Sequence, residues 1–344
     1  MGFEDTLREI AFTIVRFFTF SAHAVLFGLP VILLIVLRPA FAPLGDEWDA
    51  GRRRLATRLE GAARAALLMS AVGSVVGLLL QAIIVSSLRE TDLTGSAFEA
   101  VFGTTFGQWY LLRGPLLAGL YVLLIGQVAR WGLHRTRPNG VWWGAWIGLS
   151  LVLLATSSFT GHAAVASPRS LGIANDIVHL MAGSVWFTGI VLLAVFLPDG
   201  WRGVDERSRL SLLAPTVVRF SLVALTTITV VALTGVLNSF LNVAALDDLV
   251  NSNYGRSLSL KLLLFGGILA MGAVNHLVLR HRLIASAATE GRDTRAHATF
   301  RKTIAIELVI GLGIMATTGI LTGQAKTKNE SSAPPGQTAD KSRL

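Results

Sequence analysis

Eight stretches of this chain are apolar for long enough to cross a lipid bilayer. A spanning helix needs about 20 apolar residues, at about 1.5 Å rise each. The stretches are 11–37, 64–88, 107–129, 141–159, 174–197, 217–240, 257–279 and 302–324. Irregular backbone is costly in lipid, so they are expected to be helices. This predicts an all-α integral membrane protein, with the membrane domain over 1–325. The Ser-, Pro-, Lys- and Gln-rich stretch 326–344 reads as a disordered polar tail. Only 15% of the 344 residues are charged, against about a quarter in a soluble domain. Pro30, Pro115 and Pro215 lie within or beside spans, where neighbouring helices can tolerate them.

The acidic start (Glu4, Asp5, Glu9) lacks the positive charge of a signal peptide. Ala40-Phe41-Ala42 looks like a cleavage site, but Pro43 follows it and the apolar run before it is too long. The first stretch is therefore expected to be a retained span.

The net charge of +9 resembles that of a nucleic-acid binder. In so apolar a chain, basic loops that fix topology explain it better, and no nucleic-acid partner is expected. The segments 38–63, 130–140, 199–216 and 280–302 carry 17 Lys and Arg. The alternate set carries 8, or 4 without the tail. The positive-inside rule then puts the first set in the cytoplasm and both termini outside. Glu90, Asp92, Glu99, Asp247 and Asp248 make the outer loops locally acidic, which draws cations weakly at physiological salt.

The two halves resemble each other. Thr105-Phe106-Gly107 followed by Arg113 parallels Asn253-Tyr254-Gly255 followed by Lys261, and His23 parallels His179. Arg64 and Gln81 parallel Arg219 and Asn238. The offsets are 148, 156, 155 and 157 residues. This predicts two parallel four-helix repeats, over about 11–159 and 174–324.

Ionisable groups inside a membrane are candidates for function by default. Here they are Arg16, His23, Arg113, Asp176, His179, Lys261, His276 and Glu307. Asp176, His179, Gly183 and Trp186 fall on one helix face. A carboxylate one turn from an imidazole can orient a metal-bound His, and Gly183 leaves room for a helix or a ligand. Equally, Asp176 can cap the helix while His179 bonds a carbonyl. His162 lies in the loop before the fifth span. His23 alone suits packing, but its parallel with His179 suggests that the two share one ion. Arg113 and Lys261 either pair with acids or reach out to the interface. Glu307 is expected to pair with Arg301 or Lys302, with a proton or ion relay beside His276 as the alternative. Trp142, Trp143 and Trp146 read as an aromatic belt.

The chain has no Cys, so thiolate metal sites, disulfides and Cys nucleophiles are excluded. With only 5 Met, a Met-lined copper(I) path is not expected. There is no Walker A loop or acylphosphate motif, and no soluble segment is large enough for a nucleotide domain. The chain does not read as an enzyme.

Thr160-Gly161-His162-Ala163, Asp176-x-x-His179 and Trp186-x-x-Gly189 together resemble the central signature of the CopD/PcoD copper-resistance membrane proteins. Arg219-Phe220-Ser221, Thr234-Gly235-x-x-Asn238 and Tyr254-Gly255-Arg256-x-Leu258-x-x-Lys261 resemble the stretch that follows in that family, and Glu307 its last-span acid. The match is best over 155–325 and weaker before it. It departs at Phe187-Thr188, where the family usually has a small or aliphatic residue and Gly.

The resemblance implies a multi-pass protein of the bacterial inner membrane that imports copper from the periplasm. It also implies a separate periplasmic CopC-like copper-binding partner, since only about ten residues precede the first span. His162 and Asp176 would capture the ion, His179 and His23 would hold it, and Arg113 and Lys261 would set the field. Two alternatives stay open. Two opposed His can ligate a haem axially, for electron transfer or haem handling. The chain can also be a non-transporting partner in copper-enzyme assembly.

Overall fold

The computed structural model describes residues 3–89, 93–126, 140–161, 163, 167–200, 206–243, 245–279, 281–282 and 294–324. Among them there is no strand. Eight helices are long and apolar enough to cross a membrane.

Helix α1 (Phe3–Ile32) runs through a π turn (Leu33–Leu37) into Arg38–Phe41. Next come α2 (Asp49–Arg89), α3 (Thr105–Gly126) and α4 (Gly140–Thr160). Helix α5 (Arg169–Val191) also continues through a π turn, Leu192–Phe196, to Gly200. Then follow α6 (Glu206–Asn242), α7 (Asn253–Val274, with a π turn at Asn275–Leu279) and α8 (Thr294–Leu321). Pro30, Pro115 and Pro215 all lie inside helices.

Helix α2 starts 15 residues before its apolar stretch. Its 41 residues make about 60 Å, twice a bilayer core of about 30 Å. The added turns are rich in Ala, Leu and Arg, all good helix formers. Arg64 pairs there with Glu60 one turn back. Arg52, only 2% exposed, donates to the carbonyls of Phe41, Leu44 and Gly45 and to Asp49, and so caps the end of the α1 segment. A base counted as topological is therefore also a buried structural group.

Helices α1 and α5 form the centre. Helix α1 packs on α2, α4, α5 and α8, and α5 packs on α4 and α6 as well. In α1, 67% of the most apolar stretch is buried, against 6% in α6 and in α7. The α1–α5 crossing depends on Gly28. A Cβ there would overlap the Thr188 hydroxyl and the Ser184 carbonyl. Thr188 Oγ1 donates to Ala24 O at 3.0 Å across the same crossing.

The three tryptophans expected in an aromatic belt instead lie in the core. Trp142, Trp143 and Trp146 are at most 4% exposed. Trp142 Nε1 donates to Leu123 O at 3.1 Å, and Trp146 Nε1 to Leu26 O at 2.9 Å. A buried indole needs such a partner, and α1 and α3 present carbonyls to it. Trp146→Phe leaves the Leu26 carbonyl without this donor and removes ring volume. A loss of about 1–3 kcal/mol is expected, read as a lower thermal midpoint in detergent.

Two local constructions stand 148 residues apart. Gly107 lies so close to a short preceding helix that a Cβ would strike the Ala100 carbonyl, and Gly255 stands likewise against the Asp248 carbonyl. Thr104 Oγ1 accepts from Gly107 N at 3.0 Å and donates to Ala100 O at 2.7 Å. Ser252 Oγ accepts from Gly255 N at 2.8 Å and donates to Asp248 O at 2.7 Å. Each construction starts a helix that carries a base six residues on, Arg113 in α3 and Lys261 in α7. The neighbours then differ. Helix α2 packs along α3, whereas among the described residues α6 and α7 make no comparable packing.

Candidate functional site

Helix α5 carries Asp176 and His179 one turn apart, both partly buried. Asp176 Oδ2 accepts a hydrogen bond from Ser158 of α4 at 2.7 Å. His179 Nδ1 lies 2.9 Å from Thr234 Oγ1 of α6. The Thr234 hydroxyl has one hydrogen and donates it to Val230 O at 2.6 Å. It therefore accepts from His179, which places the proton on Nδ1. The Val231 backbone also hydrogen-bonds the His179 ring. An imidazole oriented through its other nitrogen is the usual arrangement of a metal-binding His.

The surroundings of this pair are polar within an apolar bundle. Lys261 of α7 is close enough to Asp176 and His179 for their charges to interact, and Tyr254 feels Asp176 as well. Asn175, next to Asp176, donates to Thr234 O at 2.9 Å and to Asn238 Oδ1 at 2.8 Å, pinning α5 to α6. A Cβ on Gly235 would sit 3.5 Å from His179 Cε1, in ordinary contact. A Cβ on Gly183 would sit 4.0 Å from Val231 of α6, and Trp186, 7% exposed, packs towards Gly311 of α8. Asn175, Thr234 and Ser158 escaped the sequence reading as partners. Asn238 and Thr234 stood in a quoted motif, and this was the available signal.

His23 is placed differently. It is 0% exposed, and its Nε2 lies 2.9 Å from Ser70 Oγ and its Nδ1 3.3 Å from Ser157 Oγ. Both ring nitrogens are engaged by hydroxyls of α2 and α4, so neither is left for an axial bond to iron. His23 and His179 thus have separate sets of partners. Arg113, 1% exposed, does not reach out to the interface. Its Nε donates to Thr156 Oγ1 at 2.9 Å, and its guanidinium lies 3.8 Å from the centre of the Tyr110 ring. His162 lies outside the described residues.

Glu307 of α8, 5% exposed, does not pair with Arg301 or Lys302, which are exposed. Its Oε1 accepts from Asn275 Nδ2 at 2.6 Å, and Asn275 Oδ1 accepts from Thr303 Oγ1 at 2.7 Å. Asn275 opens the π turn of α7 and stands beside the partly buried His276. The expected Arg or Lys pairing fails because those side chains lie on the exposed side of α8, whereas Glu307 faces α7. Glu307→Gln keeps an acceptor for Asn275 and is expected to leave stability nearly unchanged. Glu307→Leu orphans a buried amide donor and is expected to cost about 1–3 kcal/mol in thermal unfolding.

Among the described residues no three His, Cys, Asp or Glu side chains form a ready metal cage. Asp176 and His179 are two potential donors that a metal ion would have to complete with other groups.

A family model for copper resistance protein D matches residues 214–321, and one for the N-terminal domain of copper resistance protein D-like proteins matches residues 7–169. Copper transport protein CutJ of Bacillus subtilis (strain 168) is 30% identical over 253 residues, 72% of this chain and 43% of that protein. The chain thus spans less than half of CutJ. Copper resistance protein D of Pseudomonas syringae pv. tomato is 29% identical over 314 residues, 89% of this chain and 95% of that protein. Two family models that together take in the first and last spans, and a relative matched almost end to end, lead to one conclusion: this multi-pass membrane protein belongs to the copper resistance protein D family.

Proposed function

We propose that the chain carries copper across the membrane, inward from the outer face, and that Asp176 and His179 hold the ion in passage. The observation that carries this reading is the hydrogen bond to Thr234 that orients the His179 ring, one helical turn from the Asp176 carboxylate, within an apolar bundle. Ionisable groups are costly in such a place and mark ion paths. Imidazole suits copper in either oxidation state. The names of the two relatives, a copper transport protein and a copper resistance protein, agree with this substrate.

In this reading the acidic outer loops and His162 attract the ion, and His179 and Asp176 receive it. Lys261 offsets the carboxylate charge when copper is absent. His23 and Arg113 belong to an equivalent but different site in the other half. The twin Gly107 and Gly255 constructions support reading the chain as two parallel four-helix repeats. A CopC-like protein would deliver copper at the outer face.

The test is copper binding and an absorption spectrum on detergent-purified protein. Near-stoichiometric copper on the wild type, lost in His179→Ala and kept in His23→Ala, supports the reading. Copper binding that His179→Ala leaves intact sinks it. A Soret band would instead move the protein to the haem class. Neither ligand would favour an assembly partner.

A further inference from the structure

The seam between α7 and α8 holds a carboxyl with no base to neutralise it. Glu307, 5% exposed, lies inside Ala298–Leu321, a stretch long and apolar enough to cross a membrane. Among the described residues it makes no ion pair. Arg301 and Lys302 are exposed on the same helix. On α7, Lys261 stands nearly four turns before Asn275, and His281 and Arg282 are exposed beyond the π turn. His276, within that turn, is the titratable neighbour. Helix α5 meets α8 through Trp186 and Phe187 at Gly311, and its π turn Leu192–Phe196 carries no ionisable side chain. Helix α1 brings Arg16 against Gly323, more than four turns beyond Glu307.

The polar partners of Glu307 form a short chain. Asn275 Nδ2 is 2.6 Å from Glu307 Oε1, and Asn275 Oδ1 is 2.7 Å from Thr303 Oγ1. Thr303 Oγ1 is also 2.9 Å from Phe300 O. The Thr303 hydroxyl has one hydrogen and can give it to either acceptor. The two ends of an amide have nearly the same shape, but one donates and the other accepts. With Nδ2 towards Glu307, Asn275 donates to a carboxylate and accepts from Thr303. Turned over, Oδ1 accepts the O–H of a protonated Glu307, Nδ2 donates to Thr303, and Thr303 donates to Phe300 O. Both arrangements give Glu307, Asn275 and Thr303 a partner, one with an anion and one with a neutral acid. Asn275 also opens the π turn, a local break in the helical ladder of a kind frequent at functional sites.

An ionisable group in an apolar bundle is costly and marks a function by default. We infer that Glu307 is an exchangeable proton-binding site and that the Asn275 amide is its switch. On release the acid O–H bond breaks, the proton passes to water, and the amide turns to donate to the carboxylate. Uptake reverses these steps. A cation passing the α7–α8 seam meets a negative charge in one state and none in the other. The proton site stands independently of the copper reading.

The test is infrared spectroscopy of the detergent-purified full chain, wild type against Glu307→Gln, across the pH range in which both stay folded. The difference should contain a carboxylic-acid carbonyl stretch, above the amide bands, that comes from the wild type. It should shift in D2O, vanish as the pH is raised and return as it is lowered. Asn275→Leu keeps the acid and removes the acceptor of its O–H, so the band should move to higher frequency; this variant serves if Glu307→Gln does not fold. A difference spectrum without an acid band at any pH overturns the proposal. So does an acid band that no pH removes, or one that Asn275→Leu leaves unmoved.

Discussion

Copper uptake by cells carrying His179→Ala is expected to fall by about tenfold or more at equal protein level. The loss comes from the nitrogen that faces away from Thr234. Thr234 directs its hydrogen to the Val230 and Val231 carbonyls and accepts from His179 Nδ1, which orients the ring. Thr234→Val removes that acceptor while keeping the shape. It should cost about 10-fold in copper affinity, the low end of what orienting partners of metal ligands are worth. Asp176→Asn keeps an acceptor for Ser158 but removes the charge, and should reduce uptake similarly. His23→Ala is the contrast. It orphans Ser70 and Ser157 in the core and should lower the thermal midpoint while copper binding persists in the protein that folds. Uptake in His179→Ala equal to wild type, with both proteins present in the membrane, would refute the assignment.

Gly28→Ala is expected to be among the most damaging single-methyl changes in the chain. The new carbon meets Thr188 at both its hydroxyl and its Cβ, and also the Ser184 carbonyl, and neither the Cβ nor the carbonyl can yield without moving α5. Overpacking of this kind costs about 1–3 kcal/mol. Because α1 and α5 form the centre, the strain reaches every helix that packs on them. Thr188→Gly in the same chain should return part of the loss, since it clears one of the two obstacles. A thermal midpoint unchanged in Gly28→Ala would mean that the helices do not cross as described.

The Gly28 contact also explains where this sequence departs from its family pattern. Phe187 and Thr188 lie away from the polar cluster. Phe187 packs on Gly311 of α8, and Thr188 bonds the Ala24 carbonyl of α1. The departure belongs to helix packing, not to the chemistry of His179.

The spans were legible because apolar length depends on no neighbour. The extra turns of α2 were not, because their residues are polar and helical at once. Trp146 looked like an interface residue, since only the structure reveals the Leu26 carbonyl that receives its N–H. His23 and His179 look alike in the chain, and only the structure shows that hydroxyls of two other helices engage both nitrogens of His23. Ser, Thr and Asn are unremarkable in apolar stretches, so the partners of Asp176 and Glu307 stayed hidden.

Helix α1 leaves the ribosome before α2 to α8, yet one of the faces it buries is covered by α8. A Cβ on Gly319 of α8 would come within 3.0 Å of the Thr13 carbonyl of α1, so the two backbones nearly touch. Synthesis therefore has to hold the centre of the protein unfinished until the eighth helix arrives. Nascent chains that stop before Thr294 would expose that face of α1 to membrane quality control, and their half-lives should be short compared with chains that reach Leu321.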